Sequence, residues 1–437
     1  MRLSIVAAAI MLTLPAHAQP KWVTSWAASV QGPYPIGNAT AQPELRFAFP
    51  EPQARDQTFR LILKPSLWAS RMRLRFSNVF GTKPLILDGA FLGLQASSAA
   101  LVPGSNRPVL FGGKTATTLA PGAQIWSDPV TLPWLATPSA PEWRGRKIAA
   151  SFHVVGESGP MTWHAKGLQT SYITGPGKGA LGGQEGEGAY PNSTKSRYFL
   201  DALDVMAPGN TGVLVCFGDS IIDGTSSTLN GDDRWPDVLL RRLQAAGRPM
   251  AVVNAGIGGN QVVGPADYGP DKPFPGGPAA LSRLERDVLS LSGVSHVIWL
   301  EGINDLGSAG SATPGAIREG MVTGVTQIRA KLPGVTVLGA TLTSIRDTTS
   351  EAHKAPQVEQ NRRPFNDAMQ QNDGLFDAVV DFDRATLDPQ TLTMRPEFIP
   401  GSTIGGPGEG LHPNRAGYMA MSEAIDLRLL TTRRAKR

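Results

Sequence analysis

The hydrophobic pattern changes character partway along the chain. From about Trp22 to Asp204, short runs alternate apolar and polar positions and are broken by clusters of Gly, Pro, Ser and Asn. Residues 59–63, 71–76, 85–92, 109–111 and 147–155 read as strands. Met72-Arg73-Leu74-Arg75-Phe76 and residues 148–154 alternate most regularly, the period of a sheet with one buried face. No helical period survives the prolines of this half. The pattern predicts an all-β module of sandwich or jelly-roll type. Beyond Ala207-Pro208-Gly209-Asn210, continuous apolar runs alternate with amphipathic stretches. Strands are expected at 213–217, 250–254, 296–300, 335–341 and 377–382. Helices are expected near 234–246, 278–290, 314–331, 358–371 and 413–430. Apolar runs separated by helices call for a parallel sheet covered on both faces, an α/β layer fold with its ligand site beyond the carboxyl ends of the strands. Two Pro- and Gly-rich loops, 264–277 and 383–410, are placed to wall such a site.

Composition adds export to this picture. Arg2, the apolar stretch 3–14 and Ala16-His17-Ala18 have the form of a secretory signal over residues 1–18. No run approaches the roughly 18 apolar residues that a membrane span requires, so stable membrane insertion is not expected. The expected organisation is a signal at 1–18, a β domain at 19–207, an α/β domain at 208–431 and a basic tail at 432–437. The single cysteine, Cys216, forms no internal disulfide and sits in an apolar strand, where it packs. The net charge of +5 misleads: Arg2 and the terminal Arg428, Arg433, Arg434, Lys436 and Arg437 account for more than all of it. The body is near neutral, without the basic face that nucleic acid requires.

Chemistry concentrates where strands end. The run 213–217 leads into Gly218-Asp219-Ser220, the next into Asn254-Ala255-Gly256-Ile257-Gly258-Gly259-Asn260, and the third into Glu301-Gly302-Ile303-Asn304-Asp305. Glu409-Gly410-Leu411-His412 precedes the last helix. Acyl transfer from an ester needs a nucleophile, a base, and donors aimed at the developing oxyanion. Ser220 offers the nucleophile and His412 the base. The N–H groups of Ser220 and of a glycine in the second loop, with the Asn304 amide, offer the donors. Asp219 and Asp305 read as supporting hydrogen-bonding residues. Asp223, Asp232 and Asp233 lack the spacing of a calcium loop and read as solvated or helix-capping. The histidines show no zinc spacing, so neither metal nor cofactor is expected. The Gly-x-Ser-x-Gly elbow of α/β-hydrolases is absent around Ser220.

These four blocks, in this order, resemble the SGNH/GDSL hydrolase family. Gly218, Asp219 and Ser220 match its nucleophile block, Gly259 its oxyanion glycine, and Gly302-Ile303-Asn304-Asp305 its oxyanion asparagine block. Residues 229–236 and 300–305, with Trp22-Val23-Thr24-Ser25-Trp26, further resemble the exported bacterial xylanase-associated (XynE-like) esterase subgroup. The resemblance implies a flavodoxin-like SGNH domain and a cofactor-free acyl-serine mechanism. It also implies small-acyl esters, with O-acetyl groups on plant polysaccharides such as xylan the first expectation. Feruloyl or aryl esters, lysophospholipids and thioesters are the alternatives. A carbohydrate-binding protein with a vestigial hydrolase half is the alternative from another class. The histidine block departs from the family, which places aspartate three residues before the histidine; here Glu409 stands there. Either Glu409 completes a Ser–His–Glu triad, the preferred reading because other hydrolase folds use one, or it faces solvent and Ser220 and His412 act as a pair.

Overall fold

The computed structural model describes residues 19–38, 45–401 and 408–431. The expected signal at 1–18 and basic tail at 432–437 lie outside the described residues, as does part of the 383–410 loop.

The β half is mostly antiparallel. One sheet runs Lys21–Ala27, Leu200–Ala207, Arg71–Ser77 and Gln124–Trp126, with Val130–Thr131 also on Arg71–Ser77. A larger sheet is built around Arg55–Leu63, Ile148–Glu157 and Leu85–Ser97. The expected strands 59–63, 71–76 and 85–92 fall within these, and 147–155 does so from Ile148 onward, several of them longer than the alternation indicated. Of 109–111 only Val109 lies in a strand, Arg107–Val109. Two short helical turns among the described residues, Leu45–Ala48 and Pro141–Trp143, depart from the expectation of an all-β half.

The α/β half has five parallel strands: β1 (Gly212–Gly218), β2 (Met250–Gly256), β3 (Val294–Leu300), β4 (Thr336–Ala340) and β5 (Ala378–Val380). Their order is β2-β1-β3-β4-β5, so the chain reverses direction across the sheet between β1 and β3. Ligands of doubly wound sheets gather at that switch point, beyond the strand ends. Every residue of β1 is buried, as a central strand covered on both faces must be. The Pro314–Lys331 helix starts with proline in its first turn, and Thr313 Oγ1 caps it by accepting from Ala316 N–H. It buries Ile317, Met321, Val325 and Ile328, one face of the helical period. The last helix is shorter than expected: Arg415–Glu423, followed by a separate turn at Leu427–Leu430. Between them Ile425 is fully buried, and Arg242 donates to the carbonyls of Ser422 and Ile425.

The two halves share one continuous hydrophobic cluster, running from Val23, Leu74 and Leu203 to Val213, Val253 and Val297. Polar bonds stitch the same boundary. Thr24 N–H donates to Ser292 C=O (2.9 Å) and Ser66 Oγ–H to Val252 C=O (2.5 Å). Buried Arg75 binds Asp201 on its own sheet (2.7 Å) and reaches across to Ser290 Oγ (2.9 Å). The loop after β2 is held from the β half as well: Asn38 Nδ2 donates to Gly258 C=O (2.8 Å) and Gln31 Nε2 to Pro275 C=O (2.9 Å).

Candidate active site

β1 delivers Ser220 to the sheet rim through a tight turn. Gly218 has φ 150°, and a side chain there would collide with the Leu300 carbonyl of the neighbouring strand. Asp219 then caps the short helix Ser220–Asp223, its Oδ1 accepting from Ile221 N–H at 2.9 Å. On the adjacent strand, a Cβ at Gly256 would lie 2.8 Å from Asp219 C=O and 2.9 Å from Asp223 Cα. Only glycine lets β2 come this close to the serine-bearing turn.

The histidine arrives from the opposite end of the chain. His412 Nε2 lies 2.7 Å from Ser220 Oγ, across 192 residues of sequence. Its Nδ1 meets Glu409 Oε1, which orients the ring. Because Glu409 accepts at Nδ1, the ring proton sits there and Nε2 is left to accept from the serine hydroxyl. Burial pushes the imidazole below its ordinary 6.5, against the pull of the Glu409 carboxylate. The hydrogen bond to His412 in turn holds Glu409 below the usual carboxylate range. At neutral pH the ring is therefore unprotonated and able to take a proton. The backbone of Glu409 is itself held, its C=O accepting from Thr348 Oγ1 (2.7 Å) and Thr349 N–H (2.8 Å).

Ser220, Gly259, Asn304 and His412 line one cavity of about 510 Å³. Asn304 Nδ2 donates one hydrogen to Asn260 C=O at 2.9 Å, which fixes the amide plane and leaves its second hydrogen for a ligand. Gly259 has φ +83° and turns the loop over the serine. Asn260 itself is tied by Nδ2 to Gly276 and Pro278 carbonyls and by Oδ1 to Arg283. Fully buried Arg283 also grips Gly218 C=O (2.7 Å) and Ala255 C=O (2.8 Å), so one guanidinium holds the ends of β1 and β2 in register. Asp305 accepts from Val262 and Val263 N–H at 2.9 and 3.0 Å, pinning the far end of the glycine loop. Burial pushes Asp219 up to about 7 and Asp305 up to about 6. The hydrogen bonds of both carboxylates go to backbone N–H groups, of Ile221 for Asp219 and of Val262 and Val263 for Asp305.

Other expectations are corrected here. Asp223 is neither solvated nor a cap: it is buried, its Oδ1 3.1 Å from His164 Nε2 and its Oδ2 accepting from Gly258 N–H at 3.1 Å. Asp232 pairs with Lys64 and Lys147 at 3.4 and 3.3 Å, and Asp233 accepts from Thr228 N–H. Of the two loops expected as walls, 264–277 contributes Phe274, Pro275 and Gly276. No described residue of 383–410 lines the cavity; Ser350, Ala352 and His353 do so instead. Cys216 is fully buried in β1. Sequence reasoning missed Asn38 and Lys166 of the β half, which also line the cavity. Nor does the sequence give His164 a partner. No sequence pattern marks these residues, because only the docking of the two halves brings them to the serine. Among the described residues, no cluster of His, Cys, Asp and Glu is arranged to hold a metal. Nor is any described helix long and apolar enough to cross a membrane.

Residues 216–420 match the family model described as the GDSL-like Lipase/Acylhydrolase family. With the four blocks converging at the sheet switch point, the α/β half is a GDSL/SGNH-type lipase–acylhydrolase domain, and the protein is a carboxylic-ester hydrolase. No curated protein matches the chain. A lipase/acylhydrolase from Enterococcus faecalis is 22% identical, covering 52% of this chain and 99% of its own, with a TM-score of 0.38. An aryl esterase of M. smegmatis is 17% identical (51% and 99% covered, TM-score 0.38). Est24, a carbohydrate acetylesterase from Sinorhizobium meliloti, is 16% identical (49% and 96% covered, TM-score 0.36). At these scores the likenesses carry no argument of their own.

Proposed function

We propose that this protein is an exported serine esterase that cleaves small-acyl esters, first among them O-acetyl groups on plant polysaccharides such as xylan, through an acyl-serine intermediate. The observation that carries the reading is the 2.7 Å contact between Ser220 Oγ and His412 Nε2, with Glu409 on the opposite ring nitrogen. In this mechanism His412 takes the Ser220 proton as Oγ attacks the ester carbonyl. The N–H groups of Ser220 and Gly259 and the free Asn304 amide hydrogen bind the oxyanion. His412 then protonates the leaving alkoxide and afterwards draws a proton from the water that releases the acid. Glu409 keeps the ring in the required tautomer and stabilises its charged form. Asp219 and Asp305 hold the serine turn and the glycine loop. The cavity volume of about 510 Å³ exceeds what an acetyl group fills and leaves room for an alcohol of sugar size. Export is supported by the signal-like pattern of residues 1–18, and the exported xylanase-associated subgroup by the sequence likeness at 229–236. We place the boundary between a sandwich-like β domain and the hydrolase domain at 207–208.

The test compares wild type with Ser220→Ala on p-nitrophenyl acetate, acetylated xylan, feruloylated sugars and p-nitrophenyl esters of increasing chain length. The variant is expected to lose at least about 10⁴-fold in kcat, as removal of a serine nucleophile does elsewhere, and wild type to favour the acetyl esters. Hydrolysis that persists in Ser220→Ala would remove the proposed nucleophile. A preference for long or feruloyl chains would replace the substrate assignment.

A further inference from the structure

We propose that the β half supplies a cationic subsite to the ester pocket, the Lys166 ammonium, and that it selects esters whose alcohol portion carries a carboxylate. The proposal rests on the serine-esterase reading of the same cavity and adds a substrate class to it.

Lys166 follows the short strand Trp163–His164 and is held by a clamped backbone. His164 Nδ1–H donates to Ser29 C=O at 2.7 Å while Nε2 meets Asp223, three residues beyond the nucleophile. Ser196 Oγ–H donates to Ala165 C=O at 2.6 Å, and Leu168 N–H to Lys195 C=O at 3.1 Å. From this clamp the side chain reaches into the wall shared with Ser220, Gly259 and His412. Nζ donates to Thr225 Oγ1 at 2.8 Å and lies 3.3 Å from where a Cβ on Gly258 would stand, against the glycine loop.

The ammonium has three hydrogens to place and gives one to a neutral hydroxyl. Among the described residues no carboxylate lies within ion-pair distance of it: the salt bridges nearby belong to other groups. The two acids whose fields reach it are already engaged, Asp223 by His164 and Gly258 N–H, Glu409 by His412. Burial disfavours its charged form, with Asp223 and Glu409 opposing that effect. A charge withdrawn from water without a direct counter-ion is costly and gains most from an anion brought to it. Lys166 nonetheless keeps partial exposure. The anion therefore enters with the part of the substrate that approaches from solvent, which for a small-acyl ester is the alcohol. Asn38, tied to Gly258 C=O, stands on the same wall and gives the subsite a neutral polar neighbour.

The experiment compares 4-carboxyphenyl acetate with 4-carbamoylphenyl acetate, near-isosteres differing in charge, using the full-length enzyme and its Lys166→Met and Lys166→Arg variants. The quantity read is the charged-to-neutral ratio of kcat/KM; comparing it between enzymes cancels intrinsic ester reactivity. Lys166→Met is expected to lower that ratio about tenfold, the worth of one charge-assisted hydrogen bond, and Lys166→Arg to keep it within about threefold. A ratio that does not change in Lys166→Met overturns the proposal, since a lysine that only braces Thr225 would slow both esters alike. Wild type alone gives a second reading: 4-hydroxybenzoate is expected to inhibit about tenfold more tightly than 4-hydroxybenzamide, and equal inhibition also overturns it. Failure of the underlying esterase reading looks different, because wild type would then hydrolyse neither ester.

Discussion

Replacing Glu409 by alanine tests the block in which the sequence departs from the GDSL-type pattern it otherwise resembles. The substitution leaves Ser220 and His412 in place and removes only the acceptor at Nδ1. The Glu409 side chain is 37% exposed, so water can take its position. The loss is then that of one charge-assisted hydrogen bond, ~1.5–3 kcal/mol, with partial exposure favouring the lower end. At 1.36 kcal/mol per decade of rate, this is roughly a 10- to 30-fold fall in kcat. Glutamine is expected to fall further than alanine. Its amide can donate to Nδ1, which drives the ring proton to Nε2, where it faces Ser220 and cannot accept. The pH profile carries a separate signature. Protonated His412 cannot act as a base, so kcat/KM falls as pH drops through its pKa, which burial holds below 6.5. The Glu409 carboxylate raises that pKa, so removing it leaves burial unopposed and moves the acid limb to still lower pH. The assay is kcat/KM for p-nitrophenyl acetate between about pH 4.5 and 8.5. An alanine variant within threefold of wild type, with its acid limb unmoved, would refute the triad.

Asn304→Ala removes one of the proposed oxyanion donors and is expected to lower kcat by about 10²–10³ with little change in KM; an unchanged kcat would take Asn304 out of the oxyanion site. Glu301, fully buried beneath that site, accepts from Trp299 Nε1–H at 2.8 Å and is pushed by burial from 4.5 up to about 8. Its folded-state pKa lies above the unfolded one, so the folded protein holds an extra proton and stability declines as pH rises from about 4.5 to about 8. Glu301→Gln removes that titration and is expected to flatten the dependence of Tm on pH over this range, melting above wild type at the alkaline end. Parallel Tm curves for the two proteins would count against it.

Fold and site were legible to different depths. The strand-helix alternation of the second half follows from periodicity alone, since a strand covered on both faces has to be apolar throughout, as β1 is. The final helix was overextended because its amphipathic pattern continues to Leu430, whereas Arg242 binds the Ser422 and Ile425 carbonyls and the chain turns. Asp223 was misjudged because an acid beside glycine and threonine looks solvated in sequence; its partner His164 lies 59 residues earlier, in the other half.

By itself the sequence singled out the four groups that meet in one cavity, because a serine turn, a glycine loop, an asparagine and a histidine are local constraints of residue type and backbone freedom. Only the tertiary structure decided what surrounds them. Packing of the β half onto the sheet rim places Asn38 and Lys166 in the pocket wall and His164 against Asp223. These contacts depend on how two surfaces meet, and a linear pattern of polar and apolar residues does not encode that meeting.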